Sequence, residues 1–137
     1  MMGASRYLAT KWLDMLRGVP FTAPSTVYVA LYTTLPNKDN TGGVEVGSGI
    51  GYSRLAVTFP AVFADVNDND VIENLAELLW PIATAAWGTI AGAGLLDDDT
   101  AGELLYYGPL ETPRIINEND RFRFAEGDLR AGIGTCP

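Results

Sequence analysis

The sequence contains no histidine and only one cysteine, and both scarcities restrict its chemistry. Histidine is the commonest general base, the usual activator of serine and cysteine nucleophiles and a frequent metal ligand. We therefore expect no enzyme activity, no catalytic residues, no metal site and no cofactor. A single cysteine excludes an internal disulfide. Cys136 lies beside the last residue of the sequence, and we expect its thiol to be inert.

Long apolar runs are also missing. No uninterrupted stretch approaches the roughly 20 residues that a membrane-spanning helix needs. Arg6, Lys11, Asp14 and Arg17 interrupt the N-terminal region, so we expect no signal peptide and no membrane partner. Hydrophobic residues nevertheless make up 47% of the sequence, which is too many for a disordered chain. At this size folding hides about two thirds of the unfolded surface, enough for a core without metal or disulfide staples.

Positive charge is scarce and unevenly distributed. The net charge of −8 disfavours binding to a phosphate backbone, so we predict no nucleic-acid partner. Residues 1–60 hold five Lys/Arg against three Asp/Glu, whereas residues 61–137 hold four against fourteen. The acidic half is then either a solvated face or one side of a head-to-tail contact, in which it meets the N-terminal segment of the next copy.

A long β-hairpin is predicted at residues 85–110, where two apolar runs flank a polar turn that ends in glycine. Alternation along the second run puts Leu104 and Tyr106 on one face and Leu105 and Tyr107 on the other. Both faces are apolar, so we expect both to be covered, either inside a sandwich or at a contact with another subunit. This hairpin is the predicted centre of the fold.

Short strands with frequent turn signals fill most of the remaining sequence. We predict strands at 26–32, 52–59, 74–80, 114–116, 121–124 and 129–133, and a Gly-rich loop at 35–51. Within the loop, residues 44–46 could form a short strand, and the apolar spacing at 71–82 also fits a helix. Residues 114–124 are expected to form a hairpin at one edge of the core. The pattern predicts a mainly all-β fold, a β-sandwich or jelly-roll-like antiparallel domain with one N-terminal α-helix. We expect a single domain over 1–137, with the helix at 5–17 and the β-sandwich at 26–133.

The predicted helix is amphipathic and is the candidate assembly interface. Ser5 is a suitable N-cap, and Gly18 followed by Pro20 ends the helix. Its apolar arc either packs on the protein's own sheet or docks on a neighbouring subunit. The residues proposed for that docking are Leu8, Trp12, Met15 and Leu16.

One acidic stretch comes close to a calcium loop. Asp65, Asn67 and Asn69 have the spacing of the first EF-hand ligands. Such a loop needs glycine at its sixth position and glutamate at its twelfth, and these positions hold Asp70 and Ala76. We therefore interpret the stretch as a surface turn, with a weak calcium site of a type other than an EF-hand as the alternative.

Other groupings are also structural in our interpretation. The carboxylates at 97–99 share one loop, whereas acid–base catalysis needs two groups in different environments. The glycines at 92–94 form only a fragment of a dinucleotide motif. Tyr52, Trp80 and Trp87 could stack on a sugar if they were exposed, although aromatic residues on strands usually belong to a core.

The motifs in the order they occur resemble a known group of proteins. They include Ala-Trp-Gly-Thr-Ile at 86–90, Gly-Glu-Leu-Leu-Tyr-Tyr-Gly-Pro-Leu at 102–110 and Asn-Asp-Arg-Phe-Arg-Phe-Ala-Glu-Gly-Asp-Leu at 119–129. The first half is similar too, with an amphipathic helix, the strand at 26–33 and Gly-Tyr-Ser-Arg at 51–54. Together they resemble small tailed-bacteriophage proteins described as tail-fibre-like or minor tail proteins. The usual Gly-Gly of the central turn is Ala101-Gly102 here.

The resemblance implies a structural protein of the virion, made in the host cytoplasm and placed in the tail or tail-fibre apparatus. Other phage virion proteins are the implied partners. The opposite charges of the two halves and the apolar arc of the helix favour contacts between copies as well, as a trimer or higher homo-oligomer. The resemblance carries no catalytic residue to this chain. Two alternatives remain at this point, a decoration or cement protein on the phage head and a module that binds a host receptor or carbohydrate.

Overall fold

A computed structural model describes residues 2–133. It confirms an all-β fold of antiparallel sheets with a single N-terminal helix. The elements in chain order are β1 (Gly3–Ala4), α1 (Arg6–Leu16), β2 (Val27–Thr34), β3 (Val44–Glu45), β4 (Leu55–Val57), β5 (Phe63–Ala64), β6 (Asp70–Glu73), β7 (Leu78–Leu79), β8 (Gly88–Leu96), β9 (Leu104–Ile116), β10 (Arg123–Phe124) and β11 (Arg130–Ile133).

The β8–β9 hairpin lies at the centre of the fold, as predicted. It belongs to a six-stranded antiparallel sheet with the order β1-β9-β8-β2-β3, in which β4 also pairs with β2. The turn between β8 and β9 contains Ala101 and Gly102, whose φ angles are 53° and 78°. Ala101 thus adopts the left-handed backbone that glycine adopts most easily.

The predicted faces of β9 are wrong, because the hairpin is irregular. Leu105 and Tyr106 both contact the main core, whereas Leu104 and Tyr107 belong to a second cluster on the other side. The register shifts opposite Leu95 and Leu96, which gives β9 one extra residue there. A β-bulge of this kind breaks the alternation of side chains, so two neighbours point to the same side.

The second layer consists of two small sheets over one face of the main sheet. They have the orders β10-β7 and β11-β6-β5. Between the layers, the ring of Trp80 meets the edges of Phe122 and Phe124 at centroid distances of 5.5 and 5.9 Å. Both phenylalanines are buried and contact each other, so they lie on one face of the core. The indole nitrogen of Trp80 donates to the Ser53 carbonyl at 2.9 Å, so the polar group is also satisfied.

The strand predicted at 74–80 is wrong in its extent, because Asn74 interrupts it. The Asn74 side chain is buried, and its Nδ2 donates to the carbonyls of Ala76 and Ala125 at 2.7 and 2.9 Å. Its Oδ1 accepts from the Leu129 amide at 2.9 Å. These bonds tie the connection between β6 and β7 to the turn before β11, so residues 74–77 do not continue a strand.

The hairpin predicted at 114–124 is also wrong. Arg114 and Ile116 continue β9 and pair with β8, while β10 pairs with β7, so Arg123 lies opposite Leu79. The turn between these segments is nevertheless present, since the Asp120 amide donates to the Asn117 carbonyl at 3.0 Å. The polar turn was therefore correctly predicted and its strand partners were not.

The opposite face of the main sheet is covered by a smaller cluster. It contains Leu96 and Leu104, with Leu35 from the start of the long loop packed against it. A Cβ atom placed on Gly92 would lie 2.5 Å from the Leu35 side chain, so glycine allows this close approach. Both faces of β8 are therefore covered by the chain itself.

Candidate assembly interface

The start of α1 is fixed to the central sheet. The hydroxyl of Ser5 accepts a hydrogen bond from the Leu8 amide at 3.2 Å and donates to the Leu104 carbonyl. The Ser5 amide donates to the Leu105 carbonyl at 2.8 Å. Ser5 therefore acts as the predicted N-cap and also joins the helix to β9, which orients the rest of α1.

The four candidate interface residues lie in two different environments. Leu8 is 7% exposed and contacts the main core. Trp12 is half-buried, and its ring centroid lies 6.1 Å from that of Tyr106. Met15 and Leu16 are exposed, with 50% and 86% of their surface accessible. Met15 and Leu16 are therefore the more accessible two of the four candidates.

Two more apolar side chains extend this accessible surface. Leu13 and Val19 are both exposed and flank Met15 and Leu16 along the chain. Leu13 follows the same apolar spacing in the sequence, but Val19 comes after the helix, where helical spacing gives no signal. We call the surface formed by Leu13, Met15, Leu16 and Val19 the helix-end patch.

Tyr106, the partner of Trp12, is itself partly buried. Partial burial raises the pKa of Tyr106 above the ordinary value for a tyrosine, because a phenolate is poorly solvated there. The rings of Trp12 and Tyr106 contact each other within the folded chain.

A polar network that the sequence analysis did not identify holds the neighbouring loops. Arg54 donates to both carboxylate oxygens of Glu45, at 3.0 and 2.9 Å. Its Nη1 donates to the carbonyls of Asp98 and Ala101 at 2.9 and 2.7 Å. One guanidinium thus joins β3 to the β8–β9 turn, and a bidentate pair of this kind fixes geometry well.

Two tyrosines complete this network. The Tyr52 hydroxyl donates to Glu45 and accepts from the Leu31 amide at 3.0 Å. Burial, followed by the hydrogen bond to Glu45, raises the pKa of Tyr52. Burial also raises the pKa of Tyr32 to about 12. Hydrogen bonding to Glu45 also raises the pKa of Arg54. The network therefore holds neutral tyrosine hydroxyls beside a charged Arg54–Glu45 pair. This arrangement suits a structural role better than proton transfer.

A cleft of about 700 Å³ lies beside the middle of β9. It forms where residues 110–113 bulge away from β8, since Ile90 pairs with Arg114 and Gly92 pairs with Pro109. The guanidinium of Arg114 lies 5.5 Å from the ring centroid of Phe122 in its wall. This cation–π contact helps to hold the Arg114 guanidinium in the wall of the cleft.

The remaining sequence candidates have structural contacts. The Asp65 carboxylate accepts from the amides of Asn67 and Asn69 at 2.8 and 2.9 Å. Asp97 accepts from the Glu103 amide at 2.8 Å. Within residues 2–133 no group of three or more acidic or cysteine side chains is placed to hold a metal ion. Cys136 lies outside the described residues.

The aromatic residues considered for sugar stacking are not available for it. Trp80 and Trp87 are buried, and the indole nitrogen of Trp87 donates to the Ile50 carbonyl at 2.8 Å. The ring of Tyr52 packs edge-on against Trp87 at 5.5 Å. This set of residues therefore forms part of the core.

Comparison with sequence models of protein families identifies the family of the chain. The model described as podophage GP4 fiber I protein gp80 matches residues 3–132, which is nearly the whole sequence. The chain belongs to this family. The match confirms the resemblance to tail-fibre-like phage proteins that the motifs at 86–90, 102–110 and 119–129 predicted. A search of curated proteins finds no match.

Members of the gp80 fibre family are described as components of a phage fibre, and the matched region includes both α1 and the central hairpin. The family is thus one of phage structural proteins. Among the described residues no helix is long and apolar enough to cross a membrane.

Proposed function

We propose that this protein is a structural subunit of a phage tail-fibre apparatus, which acts by assembling with copies of itself and with other virion proteins and catalyses no reaction. Membership of the gp80 fibre family supports the virion role. The observation that carries the assembly role is the helix-end patch, where Leu16 is 86% exposed on a helix whose other end is fixed by Ser5. Ordered apolar surface of this kind is typical of interfaces.

The uneven charge supports contacts between unlike surfaces. The N-terminal part carries an excess of Lys/Arg, and residues 55–113 contain no Lys or Arg at all. A head-to-tail contact would bring opposite charges together, and such contacts form closed rings when the rotation between copies closes. We therefore propose a homo-oligomer of three or more copies.

Two measurements on the wild-type protein test this function. Analytical ultracentrifugation over a range of concentrations should give a species larger than the monomer. Immunogold labelling of intact particles should place the protein at the tail. Labelling of the head would favour the alternative of a decoration protein, and a strict monomer that is absent from purified particles would overturn the proposal.

A further inference from the structure

The hairpin formed by β5 and β6 carries a rigid turn at its tip. The Asp65 amide donates to the Asn69 carbonyl at 2.9 Å, and the Asp68 amide donates back to the Asp65 carbonyl at 3.0 Å. The Asp65 carboxylate accepts two further amides of the turn, as described above. These bonds fix the backbone of the turn.

Apolar side chains project from this rigid tip. Val66 is fully exposed, and Val62 and Phe63 at the start of the hairpin are exposed as well. A flexible loop could turn such groups inward, but the bonded turn keeps Val66 in solvent. We call Val62, Phe63 and Val66, with the turn at 65–69, the hairpin tip.

The hairpin tip is strongly acidic. Asp65, Asp68 and Asp70 lie in or beside the turn. The hydrogen bonds from Asn69, first its amide and then its side chain, lower the pKa of Asp65, so this carboxylate is charged at neutral pH. The cation that lies nearest to the Phe63 ring, Arg130 at 5.6 Å, is already bonded to Glu73 at 2.8 Å.

The helix-end patch has an excess of positive charge, with Lys11 and Arg17 against Asp14. Lys11 precedes Met15 by four residues, so both lie on one side of the helix. Arg17 follows Leu16, and its guanidinium bonds Asp14 at 2.9 Å while staying largely exposed. The two surfaces are also separate in the fold, since α1 packs on β9 whereas β5 forms an edge of the sheet β11-β6-β5.

We propose that the helix-end patch of one copy docks on the hairpin tip of the next copy. The inference rests on the self-assembly proposed above and names its two surfaces. Contact between two helix-end patches would bring the positive Lys11 and Arg17 of both copies together. Contact between two hairpin tips would bring the negative Asp68 and Asp70 of both copies together. Only the heterologous contact buries apolar groups on both sides and pairs unlike charges.

Charge reversal gives a direct test. One variant combines Lys11→Glu with Arg17→Glu, and the other combines Asp68→Lys with Asp70→Lys. Each variant alone should self-associate about tenfold or more weakly than the wild type, because like charges then meet at the contact. Mixed in equal amounts, the two variants should associate again, since each reversed surface finds a complementary one. Sedimentation velocity measures all of these mixtures, and circular dichroism checks that each variant is folded.

Single substitutions test the same docking contact in case a charge variant does not fold. Val66→Ser changes only an exposed side chain and should weaken self-association. Ile115→Ser is the matched control, since Ile115 is an exposed apolar residue on β9 outside both surfaces. Equal weakening by both substitutions would overturn the proposal, as would undiminished association of Val66→Ser.

The outcomes also separate this inference from the proposed function. Wild-type self-association that neither the charge variants nor Val66→Ser weakens would overturn the docking of these two surfaces and leave self-assembly intact. A wild type that stays monomeric at every concentration would contradict self-assembly itself, and the docking with it. Restored association in the mixture of the two charge variants would support both.

Discussion

The two ends of α1 are both apolar, yet the protein uses them differently. Leu8 lies in the main core and Trp12 packs on Tyr106, whereas Met15 and Leu16 remain in solvent. The difference lies in what surrounds each end, because β9 passes under the first turns and does not cover the last one. Helical spacing alone shows that a surface is apolar, and tertiary contacts decide whether that surface stabilises the domain or is left for a partner.

The largest effect should come from the buried end. Leu8→Ala removes a core side chain and should lower the free energy of unfolding by about 2–5 kcal/mol through the cavity that remains. Leu16→Ala is the matched control and should change it by less than about 0.5 kcal/mol, as at other exposed sites. Urea denaturation measures both values. Equal effects of the two substitutions would remove the distinction between the ends of the helix.

The cap at Ser5 should give the next largest effect. Ser5→Ala leaves the Leu8 amide and the Leu104 carbonyl without this partner, so we expect a loss of about 1–2 kcal/mol in unfolding free energy. Ser25→Ala, at an exposed position before β2, serves as the control. No measurable loss at Ser5 would mean that the helix is held by its apolar contacts alone.

The contact between Trp12 and Tyr106 should give a smaller coupling. A double-mutant cycle with Trp12→Ala and Tyr106→Ala should yield an interaction energy of about 0.5–1.5 kcal/mol, the range for aromatic pairs. The measurement is the unfolding free energy of the wild type and the three variants. If the two losses of unfolding free energy were strictly additive, Trp12 and Tyr106 would not interact, and Trp12 would belong with the exposed end of the helix.

The titration of Tyr106 tests the same contact by another property. Burial raises its pKa in the folded protein, so the stability that depends on its neutral form is complete below the ordinary tyrosine pKa and is lost as the pH rises through the folded value. Trp12→Ala should lower that pKa toward the ordinary value. Ultraviolet absorbance of tyrosinate follows the titration, with Tyr106→Phe to assign the signal, and an unchanged pKa would contradict the contact.

Local patterns in the sequence predicted much of the fold. The Ser5 cap, the turn at 65–70 and the central hairpin depend on neighbouring residues, and each was correctly predicted. The faces of β9 were not correctly predicted. The bulge adds one residue to β9 and shifts the alternation of its side chains, but it leaves the apolar composition of the strand unchanged, so the sequence gives no sign of it. The break at Asn74 depends on its bonds to Ala125 and Leu129, which are distant in the sequence.

The candidate site was predicted only in part, for a related reason. The apolar arc of α1 identified the right helix, but it could not show that Leu8 faces the sheet and Leu16 does not. The network of Arg54 had no local signal, since Arg54 reaches Glu45 on one side and the carbonyl of Asp98 on the other. Contacts between residues so far apart in the sequence depend on the topology of the fold, and the spacing of residues along the chain does not predict that topology.

Self-association of Leu16→Ser tests most directly whether the free end of α1 is an assembly surface. Its dissociation constant and that of the wild type would be measured by sedimentation equilibrium, with urea denaturation of both proteins beside it. We predict a dissociation constant raised by about tenfold or more at an unchanged denaturation midpoint, because in the proposed assembly Leu16 contacts a second copy, whereas in the monomer it is 86% exposed. An unchanged dissociation constant would contradict the assembly role of the helix-end patch.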